Sequence, residues 1–218
     1  HPYTIRSINN LGTLMKAEGR VAEAEPYCRA AVAKFRSLYG EDHPDTLRAT
    51  ISLCTLLQAQ GKFTEVEPYC RGVLERCRRT FGDEHPETLR AVNNMGFLLQ
   101  AQGKLDEAEP RFREALTIQR RTLGADHPDT LTSLCNISAL LQTQGKLSEA
   151  EDMLREATER SRRTLGDEHP DTLVLVGNLG LLLVAEGSYA EAERLLAEAL
   201  AKRRRTLGPE HADTLVSL

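Results

Sequence analysis

The dipeptide His-Pro recurs at His1, His43, His85, His127 and His169, and His211-Ala212 takes a sixth place, so the sequence repeats every 42 residues. A fixed period of this size excludes an ordinary globule. It marks a solenoid, propeller or array, whose units bury their apolar faces on their neighbours rather than in one central core. The segments follow one template: a His-Pro-acid-Thr-Leu opening, an apolar-periodic stretch, a Gly-Lys-Leu turn, a second periodic stretch, then Leu-Gly and the next His-Pro. The boundaries are 1–42, 43–84, 85–126, 127–168 and 169–210, with a partial repeat at 211–218, and the whole of 1–218 reads as a single solenoid domain. Opening at a repeat boundary without Met, it reads as a piece of a larger protein.

Local patterning predicts the unit. Apolar or small residues recur at spacings of three and four in the first half of each repeat, as in Val92, Met95, Gly96 and Leu99, which is the face of a helix. Pro in second place suits the first helical turn, with the preceding His at or near the N-cap. Gly19, Gly61, Gly103, Gly145 and Gly187 end that helix. Thr64-x-x-Glu67, Asp106-x-x-Glu109 and Ser148-x-x-Glu151 then read as capping boxes opening a second helix, with Pro26, Pro68 and Pro110 in its opening turn. Gly40, Gly82, Gly124, Gly166 and Gly208 close it. Each repeat is therefore expected to be an antiparallel helical hairpin, and the chain to be all-α.

The spacing Ile8-x-x-Leu11-Gly12-x-x-Met15, followed by Ala24-x-x-x-Cys28 and Ala31, resembles the tetratricopeptide repeat, and Ala108-x-x-x-Phe112 restores the Phe of that pattern. The 42-residue spacing with His-Pro-Asp-Thr-Leu, Gln-Gly-Lys and Glu-Ala-Glu-Pro is similar to the kinesin-light-chain type. About two extra helical turns per unit absorb the difference from the usual length of roughly 34 residues. The resemblance implies a right-handed superhelical solenoid whose first helices line a concave, peptide-binding groove.

Composition removes most other functions. The 218 residues hold 28 Lys+Arg against 32 Asp+Glu, a net charge of −4, which favours neither nucleic acid nor a membrane surface as partner. No apolar run is long enough to span a bilayer and no secretory leader opens the chain. Five Cys without a CxxC pattern point to a reducing, cytoplasmic setting rather than to disulfides or zinc. All six His share one repeat position, so a structural role outweighs a metal or catalytic one. Cys28, Cys54 and Cys70 read as packing thiols, and Cys135 alone falls on the groove side. No nucleophile elbow, P-loop or HExxH motif appears, so no catalytic residue, metal site or cofactor is expected. Arg-rich tails such as Arg76 to Arg79 and Lys202 to Arg205 end second helices, while most acids open helices, as the helix dipole favours.

The face of the first helix opposite the core carries the functional expectation. In the first repeat it holds Arg6, Asn9, Asn10, Thr13 and Lys16. The equivalent positions include Arg48, Ser52, Arg90, Asn93, Asn94, Phe97, Asn136 and Asn178. None of these stripe positions is acidic, and the basic ones fall in the first three repeats. By the resemblance, Arg6/Asn10 and Arg90/Asn94 clamp carboxylates or a peptide main chain, the Arg supplying a planar cation and the Asn both donor and acceptor. Arg48/Ser52 lacks the amide, and Thr132 and Val174 replace Arg beside Asn136 and Asn178. The expected groove is electropositive toward the amino end and apolar toward Ala139, Val174, Leu181 and Val184. It would bind an extended, partly acidic peptide or protein segment, with Phe97 framing a pocket. A solvated face whose Asn residues bond between hairpins is the plainer reading. The pattern also fits end-to-end self-association through Leu215 and Leu218, or a regulatory sensor attached to an enzyme domain elsewhere.

Overall fold

The computed structural model describes Leu11, Leu14, Met15, residues 19–208 and Glu210. Within these the chain forms nine helices: α1 (Val21–Tyr39), α2 (Pro44–Ala59), α3 (Phe63–Phe81), α4 (Pro86–Ala101), α5 (Leu105–Thr122), α6 (Pro128–Thr143), α7 (Leu147–Leu165), α8 (Pro170–Glu186) and α9 (Tyr189–Leu207). No strand occurs among the described residues. The fold is an all-α helical-repeat solenoid, in which α2, α4, α6 and α8 are first helices and the odd-numbered ones are second helices. It divides into two units, residues 1–115 and 116–218.

The His-Pro motif acts at the helix start. Nδ1 of His43, His85, His127 and His169 accepts the backbone N–H of Asp45, Glu87, Asp129 and Asp171 at 3.1–3.2 Å, so each His is an N-cap. Pro follows at the first helical position, where its missing N–H removes no helical bond. The Thr of the motif bonds back across the turn: Thr46, Thr88 and Thr130 donate to the carbonyls of Gly40, Gly82 and Gly124 at 2.7–2.8 Å. Those glycines adopt φ of 85–94°, the left-handed region that ends the preceding helix without a Cβ penalty.

The second helices start differently from the sequence expectation. α3 opens at Phe63 with Lys62 as N-cap, α7 at Leu147 with Lys146, and neither has a side-chain cap. Thr64, Asp106 and Ser148 therefore stand inside the first turn, and the expected capping boxes do not form. The turn glycine, at φ 71–76° in Gly61, Gly103 and Gly145, redirects the chain so tightly that the helix begins two residues early. Pro26, Pro68 and Pro110 consequently lie within α1, α3 and α5, beyond the opening turn.

Packing is between neighbours. In unit 1, α1 packs on α2, α2 on α3, α3 on α4, and first helix α2 lies directly against first helix α4. The close approach within a hairpin is visible at Gly96, where a Cβ would stand 2.8 Å from the Phe112 ring. In unit 2 the same crossing pairs Gly180 with Leu196. Cys54 and Cys70 occupy these two positions in the second repeat. Both are fully buried, and their mutual hydrogen bond, together with burial, pushes the Cys54 thiol well above its usual range. These are packing groups, not reactive ones.

The Arg-rich helix ends have a second use beyond the dipole. Arg78 reaches Glu114 at 2.5 Å and Arg79 reaches Asp42 at 2.6 Å in unit 1. Arg120 reaches Glu156 at 2.7 Å, Arg162 reaches Glu198 at 2.8 Å and Arg163 reaches Asp126 at 2.7 Å in unit 2. Each pair joins one hairpin to the next at a separation of 36 or 37 residues, so the charges read as a stacking register. Exposed pairs contribute only about 0–1 kcal/mol each, and their value lies in repetition.

Candidate functional site

The faces of the first helices opposite the core were the expected site, and the two units present them differently. Arg6, Asn10 and Lys16 lie outside the described residues, as do Leu215 and Leu218.

In unit 1 the face is polar and internally matched. Arg48 donates to Glu87 at 3.2 Å and stands 3.5 Å from Asp45. Arg90 donates to the other oxygen of Glu87 at 2.9 Å. Glu87, only 14% exposed along its side chain, thus bridges the two arginines expected to meet a ligand carboxylate. The stripe itself carries no acid, yet acids one turn nearer the helix N-terminus reach into it, at the i,i+3 spacing that favours ion pairs. That spacing was present in Asp45/Arg48 and Glu87/Arg90, and it was the signal to follow.

Asn94 is 7% exposed and lies between α2 and α4. Its Nδ2 donates to the Ile51 carbonyl and to Thr55 Oγ1, both at 3.3 Å, while Gln58 donates to its backbone carbonyl at 2.6 Å. The amide holds one hairpin to the next, the plainer of the two sequence readings, and is not offered to the groove. Ser52 returns its hydroxyl to the Arg48 carbonyl at 3.1 Å. Asn93 is half-buried, with its Oδ1 sealed from solvent and lacking a hydrogen-bond partner. Phe97 is 40% exposed and leans edge-on against Phe112, ring centroids 5.1 Å apart.

In unit 2 the face is apolar and open. Val174 is 47% exposed, Leu181 62% and Val184 42%, all on one side of α8. Two recesses flank them on either side of Cys135. One, of about 230 Å³, is lined by Leu131, Thr132, Asn136, Leu165, Val174 and Leu175, among others. The other, of about 190 Å³, is lined by Ser138, Ala139, Gln142, Leu154, Asn178 and Leu181. Asn178 Nδ2 donates to Cys135 Sγ at 3.3 Å, the same one-hairpin-to-the-next register as Asn94 but with a weak sulfur acceptor. Burial raises the Cys135 thiol above its ordinary value despite that bond, so this half-buried Cys is not an activated nucleophile.

Among the described residues no group of three or more His, Cys, Asp or Glu side chains could hold a metal ion, and no helix is long and apolar enough to cross a membrane.

The comparisons with known proteins agree with this architecture. A tetratricopeptide-repeat family model matches residues 3–65 and 88–163, and a second one matches 46–87 and 172–213. Among solved structures, the nearly identical TPR-like repeats of a putative kinesin light chain from Podosopora anserina superpose with a TM-score of 0.78 at 26% identity, over 95% of this chain and 98% of that one. BtubC (BKLC) from P. vanneervenii gives a TM-score of 0.77 at 20% identity over 95% and 82% of the two chains. A Rap protein complexed with Competence and Sporulation Factor gives 0.78 at 12% identity over 96% and 61%. No curated protein matches the sequence. The hairpin template, the cap at each described His-Pro and the matched family models lead to one conclusion: the chain belongs to the tetratricopeptide repeat family, in its kinesin-light-chain-like form.

Proposed function

We propose that this protein is an interaction scaffold that binds an extended peptide segment of a partner along its first-helix faces, with apolar side chains of the ligand as the main anchors. The observation that carries the reading is the row Val174, Leu181 and Val184 on α8, left open to solvent beside two recesses sized for aliphatic side chains. Three large apolar groups open on one helix face are unusual unless something covers them. Each fully buried aliphatic anchor contributes about 1.5–3 kcal/mol.

Acidic residues of the ligand hold a smaller share. A carboxylate reaching Arg48 or Arg90 must first displace Glu87, so the exchange substitutes one ion pair for another and its net gain is small. Asn136, which lines the larger recess, is the polar side chain best placed to meet a peptide main chain there. Rap proteins of the same fold lend support as a precedent, since one was solved in complex with the Phr* peptide.

A library of immobilised peptides, varied in apolar and acidic content, tests this. Leu181→Asp and Val174→Asp should each reduce affinity at least tenfold for the best apolar-anchored binder. Arg48→Glu with Arg90→Glu should change it less. Binding that tracks only acidic content and ignores both α8 substitutions would overturn the proposal.

A further inference from the structure

The repeat position held by Glu87 in unit 1 is held by Asp171 in unit 2. Around Glu87 the chain supplies its own cations. Arg48 on α2 and Arg90 on α4 both reach that carboxylate, whose side chain is 14% exposed. Around Asp171 the same two places are Thr132 on α6 and Val174 on α8. Thr132 turns its hydroxyl back to the Pro128 carbonyl at 3.0 Å, and Val174 has nothing to offer a carboxylate. The Asp171 side chain is 69% exposed, and among the described residues no Lys or Arg pairs with it. Its one charged-group neighbour is His169, whose Nδ1 lies 3.7 Å from a carboxylate oxygen. That nitrogen accepts the Asp171 N–H, so it carries no proton to give the carboxylate. Acids close by in sequence are treated otherwise: Arg162 holds Asp167 at 3.3 Å, and Arg205 holds Glu168.

Asp171 also stands at the edge of a recess. The space of about 230 Å³ between α6 and α8 is walled by Leu131, Leu165, Val174 and Leu175, and by Asp171 itself. A carboxylate beside an apolar slot is the complement of a Lys or Arg side chain, whose methylene stem packs on apolar surface while the charged head stays at the rim. Arginine is the better match, because its planar fork can give a carboxylate two parallel hydrogen bonds. Arg48 and Arg90 put that same cation on the equivalent acid in unit 1.

We infer that the peptide bound on the unit 2 face carries a basic residue, arginine by preference, whose stem fills this larger recess and whose cation pairs with Asp171. The inference rests on the peptide-binding reading above and specifies the charge of the segment selected there. The smaller recess, lined by Asn178 and Leu181, takes an aliphatic anchor. Asp171 and Asn178 are seven residues apart on α8, about 10 Å of helix axis, which an extended chain covers in about three residues. The selected pattern is thus a basic and an aliphatic residue about two to four positions apart, opposite in charge to the acidic segment that Arg48 and Arg90 would meet in unit 1.

Fluorescence anisotropy with short synthetic peptides tests it. Each carries Leu anchors in a Ser/Thr background, with Arg, norleucine or Glu two to four positions from one Leu. On wild type the Arg peptide should bind about three- to tenfold more tightly than the norleucine peptide, and the Glu peptide more weakly than both. Asp171→Asn should erase the advantage of Arg, and Asp171→Lys should invert it so that Glu binds best. Thr132→Arg, which supplies from within the cation that Arg48 supplies to Glu87, should erase it as well, and melting temperatures check that each variant is folded. Equal affinities of wild type for the Arg and norleucine peptides, or an Arg advantage that survives in both Asp171→Asn and Thr132→Arg, would overturn the inference. If Leu181→Asp still weakened those peptides, the peptide-binding reading would stand without it. Failure of all three peptides to bind wild type would sink both.

Discussion

The first-helix faces of the two units share one backbone geometry and one register, and they differ in what happens to each polar group. In unit 1, Asn94 spends its amide on Ile51 and Thr55, and Arg48 and Arg90 share Glu87, so these three side chains already have partners in their own chain. In unit 2, Asn178 has a sulfur acceptor, Val174 replaces an arginine, and Leu181 stands where unit 1 has Thr55 and Phe97. A solenoid keeps its scaffold through one set of repeat positions and varies the surface through another. A stripe without acids is not thereby a cationic one, because charge reaches it from the adjoining turn.

The largest effect is expected at the crossings beneath these faces. Phe112→Ala empties the space over Gly96 and should cost unit 1 about 3–5 kcal/mol, with exchange in α4 accelerating first. Denaturant unfolding of this variant with exchange mapping checks it, and unchanged protection in α4 would show that the contact does not organise the hairpin.

Next comes the Asn register. Asn94→Ala removes the amide that ties the Ile51 carbonyl and the Thr55 hydroxyl to α4, while those two stay bonded to each other at 3.0 Å, and should destabilise by about 0.5–1.5 kcal/mol. Asn178→Ala, losing only a bond to Cys135, should cost clearly less. Equal losses in the two variants would erase the distinction between the faces.

The seam held by Glu25 should weaken in acid. A hydrogen bond from Lys62, then one from Arg29 with help from Gln60, lowers Glu25 to about 2 against burial. A depressed carboxyl contributes stability that is complete above its unfolded value, near 4.5, and lost as pH falls toward 2. Comparing Glu25→Gln with wild type should show a stability gap at pH 7 that vanishes near pH 2. A gap that persists at pH 2 would place the effect in packing instead of charge.

The smallest effect is expected from Glu87→Gln, which releases Arg48 and Arg90 from their bridge. Affinity for an acidic peptide should rise a few-fold, less than one factor of ten, with melting temperature nearly unchanged. A fall in affinity would mean that Glu87 positions the arginines rather than occupying them.

Much of this molecule was legible from its residues. The 42-residue period, the Gly pairs and the His-Pro openings specify helical hairpins and their ends, because turn glycines, N-caps and apolar periodicity act locally. The apolar part of the face at Val174, Leu181 and Val184 was equally readable, since exposure at those positions follows from helix phase. The starts of the second helices were not, because a capping box competes with the geometry of the turn before it, and the Gly61 turn leaves Lys62 as N-cap. Nor was the fate of Asn94 or Arg48, each of which is decided by a partner about forty residues away.

The residues of one repeat are thus enough to specify the unit, its two helices and the positions that face inward, because interactions within a single hairpin set all three. Which polar groups remain free is settled only on stacking, because that depends on how one hairpin lies on the next. Stacking brings Glu87 between two arginines and an amide onto a neighbouring carbonyl.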